Sequence, residues 1–194
     1  MIEAVVFDVD GTLVDTNYQH ALAWYRALRS VGETYPVYRL IGMGGDQVLT
    51  AVGGEDLEHR VGDQAREQQG KEVDALLEEI APLPGPRDLL VAIKERGHRL
   101  VLASSGSSAD VEASKPAPDL LQVALRKLGA PPDASAVMIG DSVWDVEAAR
   151  KAGMPAIVVR SGGFGDDELQ KAGAIAIYDT PGDLAKALDD TPLA

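Results

Sequence analysis

Three apolar runs in this chain of 194 residues stop abruptly at residues able to do chemistry. AVVF (4–7) is followed by Asp8, LVLA (100–103) by Ser104, and AVMI (136–139) by Gly140 and Asp141; Asp10 lies two residues beyond Asp8. Apolar β-branched runs of this length read as buried strands. In open α/β sheets the carboxyl ends of the strands line one crevice, so these three ends should converge. Carboxylates and a hydroxyl with no His or Cys beside them form a hard-oxygen set, suited to magnesium rather than zinc and to a phosphate bound alongside it. A lone Asp after a strand is as readily a turn former or helix N-cap. The coincidence of several such ends points to chemistry.

The elements that must position these residues follow from periodicity. From His20 to Val31 the apolar residues recur at helical spacing, with Gly32 as a C-cap. Asp46 to Ile80 is again helical in pattern, interrupted by Gly53-Gly54, Gly62 and Gly70, and Pro82, Pro84 and Pro86 then punctuate the chain. Beyond them strands at 99–103, 136–139, 156–159 and 174–178 alternate with helices at 88–95, 116–128, 143–152, 167–172 and 182–188. Alternation of this kind predicts a parallel sheet covered on both faces. The fold class is therefore α/β: a Rossmann-like core from residues 1–15 and 82–194, with a small helical domain inserted at 16–81.

Composition narrows the function. With 18 basic against 31 acidic residues, a net charge of −13 disfavours nucleic acid and anionic membrane surfaces as partners. An anionic small molecule stays open, because a bound divalent cation sets the local field. The absence of cysteine excludes disulfides, thiolate metal sites and cysteine nucleophiles. The first residues lack the basic and apolar regions of a signal peptide, and no run of 18 apolar residues occurs, so a cytoplasmic protein is expected. Acidity and size permit a monomer or a small homo-oligomer.

The segment Asp8-Val9-Asp10-Gly11-Thr12-Leu13-Val14-Asp15 resembles the DxDGTLxD signature of haloacid dehalogenase superfamily phosphatases. Ser104 matches the family's second motif, Lys115 in Lys115-Pro116-Ala117-Pro118-Asp119 the third, and Gly140-Asp141-Ser142-Val143-Trp144-Asp145 the acidic fourth, in the right order along the chain. The helical insert is similar to the C1-type cap of the phosphoglycolate phosphatase and β-phosphoglucomutase branch. The resemblance implies a small phosphorylated metabolite as substrate and Asp8 as a nucleophile that forms an aspartyl-phosphate. It implies Mg2+ held by the Asp8 carboxylate, the Asp10 carbonyl and Asp141, with Asp145 ligating or orienting from behind. Asp10 would protonate the leaving alkoxide and then activate water. Ser104 and the amide of Ser105 would donate to the phosphoryl group, and Lys115 would balance its charge. The dehalogenases lack a carboxylate at the Asp10 place, so Asp10 favours phosphoryl chemistry.

Other candidates stay open. Thr12 braces the turn and Asp15 fixes the exit toward the cap; both read as structural. His20 sits where cap helices begin and either touches the site on closure or is a plain surface residue. Ile41-Gly42-Met43-Gly44-Gly45-Asp46 is either a loop closing over a phosphate ester, with Gly44 at its centre, or an interhelical turn. Arg39 just before it is a candidate substrate ligand. Trp24 and Trp144 read as packing residues, His59 and His98 as solvated, and 161–165 as a rim or a plain connection.

One departure from the family stands out. Ten residues separate Ser104 from Lys115, where relatives place a helix and a further strand, and a smaller gap falls near Tyr38-Arg39-Leu40. A parallel crossover with its helix needs at least ~10–12 residues. Either the natural chain has further residues here, or the deletion is genuine and one sheet edge is bare. Three functions compete: phosphate monoester hydrolysis, phosphomutase chemistry, and a non-catalytic relative if the deletion is genuine.

Overall fold

The first strand, β1 (Ala4–Phe7), is buried along its whole length. A two-residue strand, β2 (Val14–Asp15), leads into α1 (Asn17–Ser30) and the long α2 (Gly45–Asp74), and β3 (Ala81–Pro82) brings the chain back. There follow α3 (Pro86–Glu95), β4 (Arg99–Leu102), α4 (Asp119–Leu128), β5 (Ala136–Gly140), α5 (Val143–Lys151), β6 (Ala156–Val159), α6 (Asp166–Ala172), β7 (Ala174–Tyr178) and α7 (Pro181–Lys186). The computed structural model describes residues 2–104, 113–131 and 135–194. The short Ser104–Lys115 connection, and Ser105 with it, lies outside the described residues.

The five longer strands form one parallel sheet in the order β4-β1-β5-β6-β7, with β1 central between β4 and β5. Successive side chains of a strand point to opposite faces. Val6, Met138 and Val158 thus meet Leu121, Ala149 and Leu169 on one side. Val5, Phe7, Val137, Ile139 and Ile157 meet Leu89, Ile93 and Leu184 on the other. Two buried cores hold the sheet rigid. Among the described residues β4 is an edge strand, and its Leu102 is 56% exposed.

Helices α1 and α2 pack on each other around a separate core of Trp24, Leu28, Val48, Leu49, Leu57 and Ala65. The helical run expected at 46–80 ends at Asp74, and α2 breaks at Gly54, whose φ of 71° suits glycine. The helical unit leaves and rejoins the sheet through neighbouring strands, since β2 and β3 pair antiparallel as Val14↔Pro82 and Asp15↔Ala81. His98 corrects the sequence reading. It is 7% exposed rather than solvated, its ring nitrogens 2.9 Å from the Ile2 carbonyl and 3.2 Å from that of Leu193. It pins the C-terminus to the edge of the sheet. No helix among the described residues is long and apolar enough to cross a membrane.

Candidate active site

Sheet order decides where the polar strand ends meet. Asp8 emerges from central β1, and its amide donates to the Ile139 carbonyl of β5 at 2.9 Å. The chain then turns tightly: Gly11 has φ 74° and donates to the Val14 carbonyl at 2.8 Å. A Cβ on Gly11 would lie 2.1 Å from Asp141 Oδ2, so only glycine lets this turn approach the end of β5. The turn sends the Asp8 and Asp10 side chains into different surroundings.

Asp8 is 1% exposed, with Lys115 Nζ 2.6 Å from its Oδ1; the same ammonium donates to Asp145 Oδ1 at 2.8 Å. The Asp8 contact has the distance of an ion pair but not the alignment of a hydrogen bond, and neither Asp8 oxygen accepts one. Asp145 lies in the first turn of α5 in a capping box with Ser142. Its Oδ2 accepts from the amides of Asp141 and Ser142 at 3.2 and 3.1 Å and from Ser142 Oγ at 2.6 Å. Asp141 accepts from Asn17 Nδ2 at 2.8 Å and from Thr12 Oγ1 at 3.5 Å. Gly162 completes the enclosure, for a Cβ there would fall 2.1 Å from the Asp141 carbonyl oxygen.

This crowding has an electrostatic consequence. Burial pushes the Asp8 carboxyl up to about 7; Lys115 pulls it back down, while Asp145 and Asp10 push it further up. Asp141 is raised well above the usual carboxylate range, first by burial and then by Asp145 and Asp8. Lys115 is raised as well, which keeps it charged: burial alone would lower it, but the charges of Asp145 and Asp8 outweigh burial. Three buried carboxylates thus lie around one ammonium, which contacts Asp8 and Asp145. One oxygen from each of Asp8, Asp141 and Asp145 lies within 4.8 Å of the others. Hard oxygen donors, a surplus of negative charge and two Asp8 oxygens that accept no hydrogen bond fit a divalent cation of the magnesium type.

Asp10 is set apart. Its carboxylate accepts from Thr16 Oγ1 at 3.0 Å and Ser104 Oγ at 3.1 Å, and faces His20 Nε2 at 3.4 Å. Burial would raise its pKa, but His20, Thr16 and Ser104 together bring it down to about 2. On the far side of the imidazole, Gln69 Nε2 lies 3.4 Å from His20 Nδ1.

Above these groups lies a cavity of about 790 Å3, walled by the sheet ends below and by α1, α2 and the 41–46 loop above. The loop touches the core directly. The Gly44 amide donates to the Lys115 carbonyl at 3.0 Å, Gln47 Nε2 to the Ser114 carbonyl at 2.9 Å, and the Ser114 amide to Asp46 Oδ2 at 3.1 Å. A Cβ on Gly44 would meet Ser114 Cβ at 2.0 Å. The loop is the turn that joins the helical turn at 37–40 to α2, and it lies over the crevice.

Asp8, Asp10, Ser104, Lys115, Asp141, Asp145 and His20 therefore converge, and Gly44 abuts Lys115 through its backbone. Arg39 does not line the cavity. Its guanidinium pairs with Glu168 of α6 and stacks over the Phe164 ring with 5.4 Å to the centroid, so it joins the helical unit to the core instead of facing a substrate. Asn17 and Gln69 were missed in the sequence. Asn17 carried one faint signal, its place two residues past the acidic signature; Gln69 carried none.

The family model for haloacid dehalogenase-like hydrolases matches residues 2–153. Protein CbbY of Cereibacter sphaeroides is 32% identical, covering 95% of this chain and 94% of the relative. Its alignment runs over 227 positions, more than this chain has residues, so the relative carries residues that are absent here. Fructose-1-phosphate phosphatase YqaB of Escherichia coli is 29% identical over 80% of this chain and 95% of the relative. The crystal structure of a hydrolase from Pseudomonas syringae superposes with a TM-score of 0.84 at 30% identity, covering 97% of this chain and 98% of that one. The chain belongs to the haloacid dehalogenase-like hydrolases. It is a phosphoric monoester hydrolase.

Proposed function

We propose that the protein is a Mg2+-dependent phosphatase acting on a small phosphate monoester of the phosphoglycolate or sugar-phosphate type through an aspartyl-phosphate on Asp8. The observation that carries this reading is the buried Asp8 carboxylate, clamped by Lys115 and accepting no hydrogen bond, beside a second carboxylate held ionised. A carboxylate attacks a phosphate dianion only where cations offset the repulsion between them. Asp8, Asp141 and the Asp10 carbonyl would hold the metal, with Asp145 orienting Lys115 and the end of β5. When bound, the cation supplies charge neutralisation for nucleophile and phosphate.

An oxygen of Asp8 forms the bond to phosphorus as the ester oxygen leaves. Asp10 protonates that alkoxide, so the alcohol departs neutral. Water then attacks the acyl-phosphate, Asp10 accepts its proton, and inorganic phosphate and free Asp8 result. Without substrate Asp10 is ionised, the form the second step needs. For the first step it takes up a proton from solvent as the arriving phosphate, a nearby like charge, raises its proton affinity. Ser104, which donates to Asp10, would turn its hydroxyl to the phosphoryl group. The inserted helical unit at 16–81 acts as a cap that shelters the acyl-phosphate.

The test is phosphate release from a panel of phosphorylated metabolites and p-nitrophenyl phosphate, with and without Mg2+. Free phosphate with an unrearranged alcohol supports the phosphatase; an isomerised phosphate ester replaces it with a mutase. No magnesium-dependent turnover of any ester overturns the reading.

A further inference from the structure

Resting on the reading of Asp8 as the phosphate-accepting centre, we propose that the cavity selects substrates whose only anionic group is the scissile phosphate. The body of the substrate is then an uncharged alcohol of sugar size or larger, and phosphocarboxylates and bisphosphates are turned away.

The argument begins with cations. Two permanently charged basic side chains line the described cavity, Lys115 and Arg66. Lys115 sits at the bottom between Asp8 and Asp145 and belongs to the scissile phosphate. Arg66, on α2, is held by two carboxylates, Glu58 Oε1 at 2.7 Å and Asp63 Oδ1 at 3.0 Å. This cluster carries a net negative charge, so it offers a second anion no attraction. Arg39, the other guanidinium near the roof, is drawn outward to Glu168 and Phe164. Residues 105–112 include no Lys or Arg, so that stretch supplies no cation either. His20 stands between Asp10 and Gln69.

The remaining wall is built for something neutral. Asp46 lines the roof, where its carboxylate accepts from the Ser114 amide; Glu67, also on the lining, is already paired with Lys71. Apolar surface comes from Trp24, Ile41, Met43, Val48 and Val73, and Asn17 and Gln69 add neutral hydrogen-bonding groups. A second phosphate or a carboxylate would lose its hydration here with no free cation to replace it, and like charges brought together cost several kcal/mol. A volume of about 790 Å3 also leaves room for far more than a two-carbon acid.

The experiment compares kcat/KM of the full chain with Mg2+ on a hexose monophosphate, phosphoglycolate, a hexose bisphosphate and p-nitrophenyl phosphate. The hexose monophosphate should exceed both doubly anionic compounds by about tenfold or more. Equal or better turnover of phosphoglycolate or the bisphosphate overturns the proposal while leaving the phosphatase reading intact. Failure of all four, p-nitrophenyl phosphate included, removes the phosphatase reading and this inference with it. The second arm frees Arg66 with the double variant Glu58→Gln, Asp63→Asn, its fold checked by circular dichroism. The ratio of bisphosphate to monophosphate turnover should then rise by about tenfold. An unchanged ratio overturns the assignment; should the double variant not fold, Glu58→Gln alone, which leaves Arg66 only its pair with the fully exposed Asp63, should raise the same ratio, and an unchanged ratio there overturns it equally.

Discussion

The crevice at the strand ends and the helical unit above it use charge in opposite ways. In the crevice Asp8, Lys115 and Asp145 are at most 2% exposed, and each relies on the others. In the helical unit the ion pairs lie at the surface, as in Arg26–Glu72, Arg60–Asp56 and Lys71–Glu67, while Trp24, Leu28, Leu49 and Leu57 supply the cohesion. Buried charges cost much to leave unpaired; exposed pairs contribute little. The chemistry is therefore fixed in one region, and the other is free to change its charge pattern without unfolding.

The largest effect tests the crevice as a reaction centre. Asp8→Asn should lower turnover by at least ~10⁴-fold, measured as phosphate release, while the fold persists by circular dichroism. Activity near that of the unaltered protein would remove Asp8 from its role. Next, Lys115→Met leaves three buried carboxylates without their ammonium and should cost about 3–5 kcal/mol in urea unfolding. A loss no greater than that of a surface lysine would dissolve the contrast between the regions. Leu49→Ala should cost about 2–5 kcal/mol by emptying the helical core, with cooperative unfolding retained. Smaller still is a pH effect. Protonation competes with the cation at Asp8, whose pKa is raised to about 7, so Mg2+ affinity should hold above that pH and weaken as pH falls through it. The loss should approach about tenfold per pH unit, read by titration calorimetry. Last, Arg60→Ala, which removes pairs to Glu33 and Asp56 on the exposed face, should leave the unfolding midpoint where it was.

What the sequence disclosed follows from how local each cause is. Strands 4–7, 156–159 and 174–178 were legible to the residue, because short apolar runs bounded by Gly, Pro or Asp leave little choice. The convergence of Asp8, Ser104 and Asp141 followed from parallel-sheet geometry alone. Arg39 reads as a substrate ligand in the sequence because its partner Glu168 stands 129 residues away, and nothing near residue 39 signals which carboxylate will claim a guanidinium. Gln69 and Asn17 were invisible for the same reason: they reach His20 and Asp141 only once α1 and α2 lie over the sheet. The polar neighbours of His98 predict a solvated residue, yet the C-terminus returns to cover it.

The antiparallel pairing of Val14 with Pro82 and of Asp15 with Ala81 carries a consequence of its own. The two crossings between sheet and helices lie side by side, so everything from 16 to 80 hangs from a single narrow stem. A foreign segment of quite different length, grafted beyond His20, would leave the floor in register and keep the contacts of Thr16, Asn17 and His20 with Asp10 and Asp141. Selection can thus exchange the lid wholesale and acquire a new substrate in one recombination event.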